Sequence, residues 1–120
     1  MIIVGEKLNT SIDEVQIAVA KKDTLKIQQL ALEQSRAGAD FIDVNCGTFV
    51  DDEPDLLKWM VKTVQERLDK PLCIDSPNPK AIEAALKVYK DSNKPIINSI
   101  TGERDRYDSI SPLVSEYGTY

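Results

Sequence analysis

The feature that most constrains this chain is a repeated alternation. Short apolar runs, each closing on a polar residue, are separated by longer segments whose apolar residues fall at helical spacing. The repeat is about 30 residues long, the size of a strand plus its crossover helix. Strands that alternate with helices through short loops pair side by side in parallel, with right-handed crossovers. The sequence therefore predicts an α/β protein.

The first run, Ile2-Ile3-Val4-Gly5-Glu6, breaks into Lys7-Leu8-Asn9-Thr10, which reads as a strand followed by its loop. From about residue 13 to 37 the rhythm is helical, with Val15, Ile17, Val19, Leu25, Ile27, Leu30, Ala31 and Gln34. Asp23-Thr24 marks a cap for the second part of that segment, and Gly38 ends it. The second strand spans residues 40–47 and stops at Gly47. Asp51-Asp52-Glu53-Pro54 then opens a helix running through Leu68, with acids and a proline at its positive end. Pro71-Leu72-Cys73-Ile74-Asp75-Ser76 is the third strand. Asn78 and Pro79 supply a cap and first residue for a helix reaching Tyr89. Residues 94–100 form the fourth strand and 107–117 a fourth helix.

Composition narrows the partners. Apolar residues make up 42% and are spread along the chain, enough for one core in one domain, residues 1–120. Twenty acidic against fifteen basic residues, with the lysines scattered among acids, exclude a nucleic-acid stripe. No apolar run approaches the roughly 20 residues that cross a bilayer. Met1 leads straight into Ile2-Ile3-Val4 without a basic segment or cleavage site, so a cytoplasmic location is expected. With no histidine and no close cysteine spacing, the usual zinc ligand set and imidazole acid-base chemistry are absent. Cys46 and Cys73 each lie in or beside an apolar run and read as buried free thiols.

Period two places Val4 with Glu6, Asp43 with Asn45, Cys73 with Asp75, and Ile96 with Asn98 on alternating strand faces. In parallel α/β folds ligands bind where strands end and loops open, so Glu6, Asn45, Asp75 and Asn98 are candidates to converge. Each has a second reading. Glu6 can simply begin a solvated loop, and Asp43 and Asn45 can brace the Gly47 turn through side-chain to backbone hydrogen bonds. Asp75 resists that reading: Asn78 already caps the next helix, and a carboxylate behind Leu72-Cys73-Ile74 needs a donor if buried. Asn98 serves either as a bridge between strands or as a two-way ligand contact. Trp59, beside Leu56 and Val61, reads as a packing residue. Gly102-Glu103-Arg104 offers backbone donors and a cation, a weak phosphate signal.

In order and spacing, Val4-Gly5-Glu6-Lys7-Leu8-Asn9, Asp43-Val44-Asn45, Cys73-Ile74-Asp75-Ser76 and Ile97-Asn98-Ser99 resemble the pterin-binding methyltransferases. The likeness is to methyltetrahydrofolate:corrinoid methyltransferases and the folate domain of cobalamin-dependent methionine synthase, and it covers nearly the whole chain. It implies a TIM barrel binding tetrahydrofolate or methyltetrahydrofolate as substrate at its top. The N5-methyl group would pass to or from the cobalt of cobalamin on a separate corrinoid protein. By resemblance, Asp75 accepts hydrogen bonds from the pterin N–H groups and Asn98 contacts the same ring, with Asn45, Asp43, Glu6, Asn9 and Ser99 nearby; no metal is implied on this chain.

The same resemblance assigns the asparagine that assists transfer at N5, and a further pterin-binding aspartate, to later strands, so no catalytic residue is assigned here. Four parallel βα units then correspond to the N-terminal half of a TIM barrel, since closing one takes about 250 residues. An isolated half is expected to be inactive and to self-associate or pair with a complementary chain across its open edges. Two alternatives stand beside this reading. One is a dihydropteroate synthase-like pterin enzyme, whose characteristic first loop, rich in Asn, Thr, Pro, Asp, Ser and Phe, is not matched by Lys7-Leu8-Asn9-Thr10-Ser11-Ile12 here. The other is a non-catalytic flavodoxin-like module for binding or signalling.

Overall fold

The computed structural model describes residues 2–90 and 94–98. The elements run β1 (Val4–Asn9), α1 (Asp13–Ala20), α2 (Thr24–Arg36), β2 (Phe41–Asn45), α3 (Glu53–Gln65), β3 (Leu72–Asp75), α4 (Pro79–Val88) and β4 (Ile96–Asn98). All neighbouring strands pair in parallel in the order β1-β2-β3-β4. That sequential order is the one a barrel requires. A flavodoxin-like sheet, with order 2-1-3-4-5, would instead place β1 inside, between β2 and β3. The fold is four parallel strands alternating with helices, the N-terminal half of a TIM barrel. The expected helix at 107–117, Ser99 and the Gly102-Glu103-Arg104 turn lie outside the described residues.

Local signals explain most boundaries. The segment from 13 to 37 divides where Lys22 takes a left-handed φ of 51°. Asp23 then caps α2, its Oδ1 accepting from the Lys26 N–H at 3.2 Å. Gly38 leaves α2 at φ 103°, a conformation that penalises any residue with a Cβ. Pro54 and the first-turn acids open α3, and after Gln65 backbone bonds from Arg67 and Leu68 to Val64 continue one further turn. The Asn78 side chain caps α4 through the Lys80 N–H at 3.0 Å, with Pro79 as first residue.

The β1 boundary differs from expectation. Lys7, Leu8 and Asn9 belong to the strand, because the β1–β2 register shifts between Gly5 and Leu8. Gly5 pairs with Ile42 and Leu8 with Val44, so β1 spends one more residue than β2 over this span. Such a bulge reverses which face later residues occupy. Leu8 thereby enters the core, and the chain reads as polar loop only when the bulge is ignored.

One face of the sheet carries Leu8, Ile42, Val44, Leu72 and Ile74, all fully buried beneath the helices. They share a core with Val15 and Val19 of α1, Ile27 and Leu30 of α2, Leu57 and Met60 of α3, and Ile82 and Ala85 of α4. Burying each such aliphatic side chain stabilises the fold by about 1.5–3 kcal/mol. Trp59 is partly buried against this core, a packing residue as expected. Ile17 and Leu25, although on the helical rhythm, are exposed. Among the described residues no helix is long and apolar enough to cross a membrane.

Candidate functional site

Parallel register brings the polar residues together on the opposite face. Phe41 pairs with Val4, Asp43 with Cys73, Cys73 with Ile96, and Asp75 with Asn98, while Asn45 pairs with Asn9. Residues in register on parallel strands point to the same side, so the side chains of Val4, Phe41, Asp43, Cys73 and Ile96, and those of Asn9 and Asn45, stand in rows across the sheet, away from the helix-covered core, with Asp75 two residues beyond Cys73 on the same face. The backbone of Asn98 lies directly beside that of Asp75.

At the centre, Asp43 and Asp75 are joined by a side-chain hydrogen bond. Two ionised carboxylates cannot make one, since each would only accept. A proton retained by the pair serves this contact, and both carboxyls are raised accordingly. Burial, first, and then the Asp75 charge push Asp43 up to about 7; Glu6 adds in the same direction. Burial also raises Asp75, with Glu6 assisting, while hydrogen bonds from Asp43 and Asn45 pull it back down. Glu6, although exposed, thus stands close enough to act on both carboxyls.

Donors order the pair. The Cys73 thiol bonds to Asp43, and burial with the neighbouring Asp43 charge pushes that thiol far above its ordinary range. Cys73 is thus a neutral donor and no nucleophile. Cys46, whose thiol burial pushes up to about 12, is inert as well. Both cysteines are free and buried, as the sequence predicts. The Asn45 side chain works at both ends: its amide N–H bonds Asp75, and its Oδ1 accepts from the Gly47 N–H at 2.8 Å. The turn-bracing and site-facing readings of Asn45 therefore both hold. Asp43 does not brace that turn; its partners are Cys73 and Asp75. Asn9 shares the site face, and its Oδ1 accepts from the Ser11 N–H at 2.9 Å.

Two features were not read from the sequence. Glu53 is only 3% exposed, and its Oε2 accepts from the Ser76 hydroxyl at 2.7 Å. Ser76 Oγ accepts in turn from the Asn78 N–H at 3.0 Å, so the start of α3 is tied to the loop after β3. In the sequence Glu53 is one of three consecutive acids, and only the loop's tertiary path selects it. The second feature is Gln34, a polar residue on the helical rhythm of α2. Its Oε1 accepts from the Lys7 N–H at 2.9 Å, at the β1 bulge.

The arrangement presents a half-buried acceptor, Asp75, steadied by an amide and a shared proton, at the carboxyl ends of parallel strands. It suits a planar ligand bearing adjacent N–H donors. Comparison with known proteins agrees with this chemistry. The family model described as pterin binding enzyme matches residues 5–120. A protein of Eubacterium limosum named methylcorrinoid:tetrahydrofolate methyltransferase is 44% identical over 116 residues, covering 97% of this chain. The chain spans 42% of that relative's length. The chain belongs to the pterin-binding enzyme family.

Proposed function

We propose that this chain is the pterin-holding portion of a methyltransferase that exchanges a methyl group between N5 of a tetrahydrofolate and the cobalt of a corrinoid. The relative's name supports the pairing of folate with corrinoid, and favours it over a dihydropteroate synthase. The observation that carries the reading is Asp75, a carboxylate at a strand end held by Asn45 and Asp43 and half open to the site face. In this reading Asp75 accepts the pterin N–H groups and Asn98, its neighbour in register, contacts the same ring. Asn45, Asp43, Glu6, Asn9 and Ser99 complete the polar surroundings.

The residues present do not fit a resident corrinoid of the histidine-ligated type, because the chain has no histidine. The corrinoid is therefore assigned to a separate protein. What this chain contributes is orientation, since holding the pterin fixed places N5 in line with the group it exchanges. Activity requires groups beyond these strands, so the chain by itself is expected to bind without turnover.

Calorimetric titration with methyltetrahydrofolate tests this, with Asp75→Ala run in parallel. Loss of two charge-assisted hydrogen bonds should weaken binding by about a hundredfold. Equal binding by Asp75→Ala would remove the proposed site. Absence of binding by either protein would show that these strands alone do not hold the ring.

A further inference from the structure

The extra residue in β1 has a device that holds it. Gly5 faces α2, and a Cβ built there would stand 2.4 Å from Gln34 Oε1. A side chain at this position would push the Gln34 carboxamide aside, so the glycine is what lets that carboxamide lie directly over the strand. From that position Gln34 Oε1 takes the Lys7 N–H, while its Nε2 donates to the Leu30 carbonyl within its own helix at 3.3 Å. A bulge leaves a backbone group without its ladder partner, and here a helix side chain supplies one.

The phase of β1 depends on this residue. Without it, strict alternation from Gly5 would turn Leu8 toward the site face and Asn9 toward the helices. With it, Leu8 is fully buried in the core and Asn9 stands in register with Asn45. The two residues inside the bulge separate as well: Glu6 acts on Asp43, Asp75 and Cys73, whereas Lys7 acts on Glu14 of α1.

We infer that Gln34, seated on Gly5, is a positioning residue that locks the β1 bulge and thereby keeps Leu8 in the core and Asn9 beside Asn45 on the site face. Its consequence for pterin affinity rests on the function proposed above, whereas its consequence for the site itself does not. Gln34 touches no ligand in this scheme and acts only through the backbone of Lys7.

The test compares Gln34→Met, which keeps the bulk and removes the acceptor, with Gln34→Glu, which keeps an acceptor for the Lys7 N–H. Thermal melts first establish that both variants fold. The first readout is the β1–β2 register, followed by NMR contacts between Leu8 and Val44 and between Asn9 and Asn45. In Gln34→Met these contacts should weaken, because the bulged Lys7 N–H has lost its acceptor. In Gln34→Glu they should be retained. The second readout is methyltetrahydrofolate affinity, expected to fall about tenfold in Gln34→Met and to stay within about threefold in Gln34→Glu.

A folded Gln34→Met with the Leu8–Val44 and Asn9–Asn45 contacts unchanged overturns the inference, whether or not the parent chain binds pterin. Parent binding that is lost in Asp75→Ala but kept in Gln34→Met overturns the positioning effect on the ligand and leaves the proposed function standing. If the parent does not bind pterin, the β1–β2 register alone decides the inference.

Discussion

Asp43 is only 4% exposed and lies within reach of two other carboxylates, so deprotonating it would place a second charge beside Asp75 with little water to screen it. In the unfolded chain an aspartate gives up its proton near pH 4. In the fold Asp43 keeps it up to about pH 7. Between those values the native state binds more protons than the unfolded state, so stability should fall as pH rises from about 4 to about 7 and then level off. Asp75, also raised, acts with the same sign; Glu14, lowered by its hydrogen bond and ion pair with Lys26, acts oppositely. Comparing urea unfolding of the parent and Asp43→Asn isolates the Asp43 share. The asparagine variant should show a shallower decline with pH and exceed the parent in stability at about pH 8. Identical pH profiles for the two proteins would refute the shared proton.

The elements meet the site through their ends. Helix α3 begins with a buried Glu53 whose oxygen is held by Ser76, and Ser76 also receives the Asn78 N–H that starts the α4 turn. Removing that hydroxyl leaves a buried carboxylate short of a donor, which costs about 1–3 kcal/mol or somewhat more for a charged group. Ser76→Ala should therefore lower stability by that amount in denaturant titration, and Glu53→Gln combined with it should cost less than the sum of the two single changes. Strict additivity would mean that the two groups are independent. Strand β1 shows the same dependence on a neighbour. Its hydrogen-bond ladder is irregular, and α2 supplies the missing acceptor through Gln34.

For the whole molecule, the edge strand β1 carries exposed apolar surface. Ile2, Ile3 and Val4 stand exposed at the start of β1, and β1 pairs on one side only among the described residues. An apolar strand edge of this kind templates further pairing. The chain should therefore self-associate in sedimentation velocity as concentration rises, and Ile3→Lys should shift it toward monomer; a monomer at all concentrations would refute this. Much of the architecture was legible beforehand, because local chemistry governs it. The four strands and the helices between them, the Asp23 and Asn78 caps, the Gly38 stop and the shared face of Asp43, Asn45, Cys73 and Asp75 all follow from period, propensity and turn residues. The remainder depends on neighbours distant in sequence. How firmly the paired carboxyls hold a proton is set by burial and by strands about 30 residues apart. That Lys7, Leu8 and Asn9 form strand and not loop is settled by one extra residue, Gln34 and the space above Gly5. The sequence by itself determined the order of the elements and the face that bears the polar groups, since both arise from repeats along the chain. Only the tertiary structure decided the phase of β1, the selection of Glu53 among three acids and the electrostatics of Asp43, since each requires contacts that no local pattern encodes.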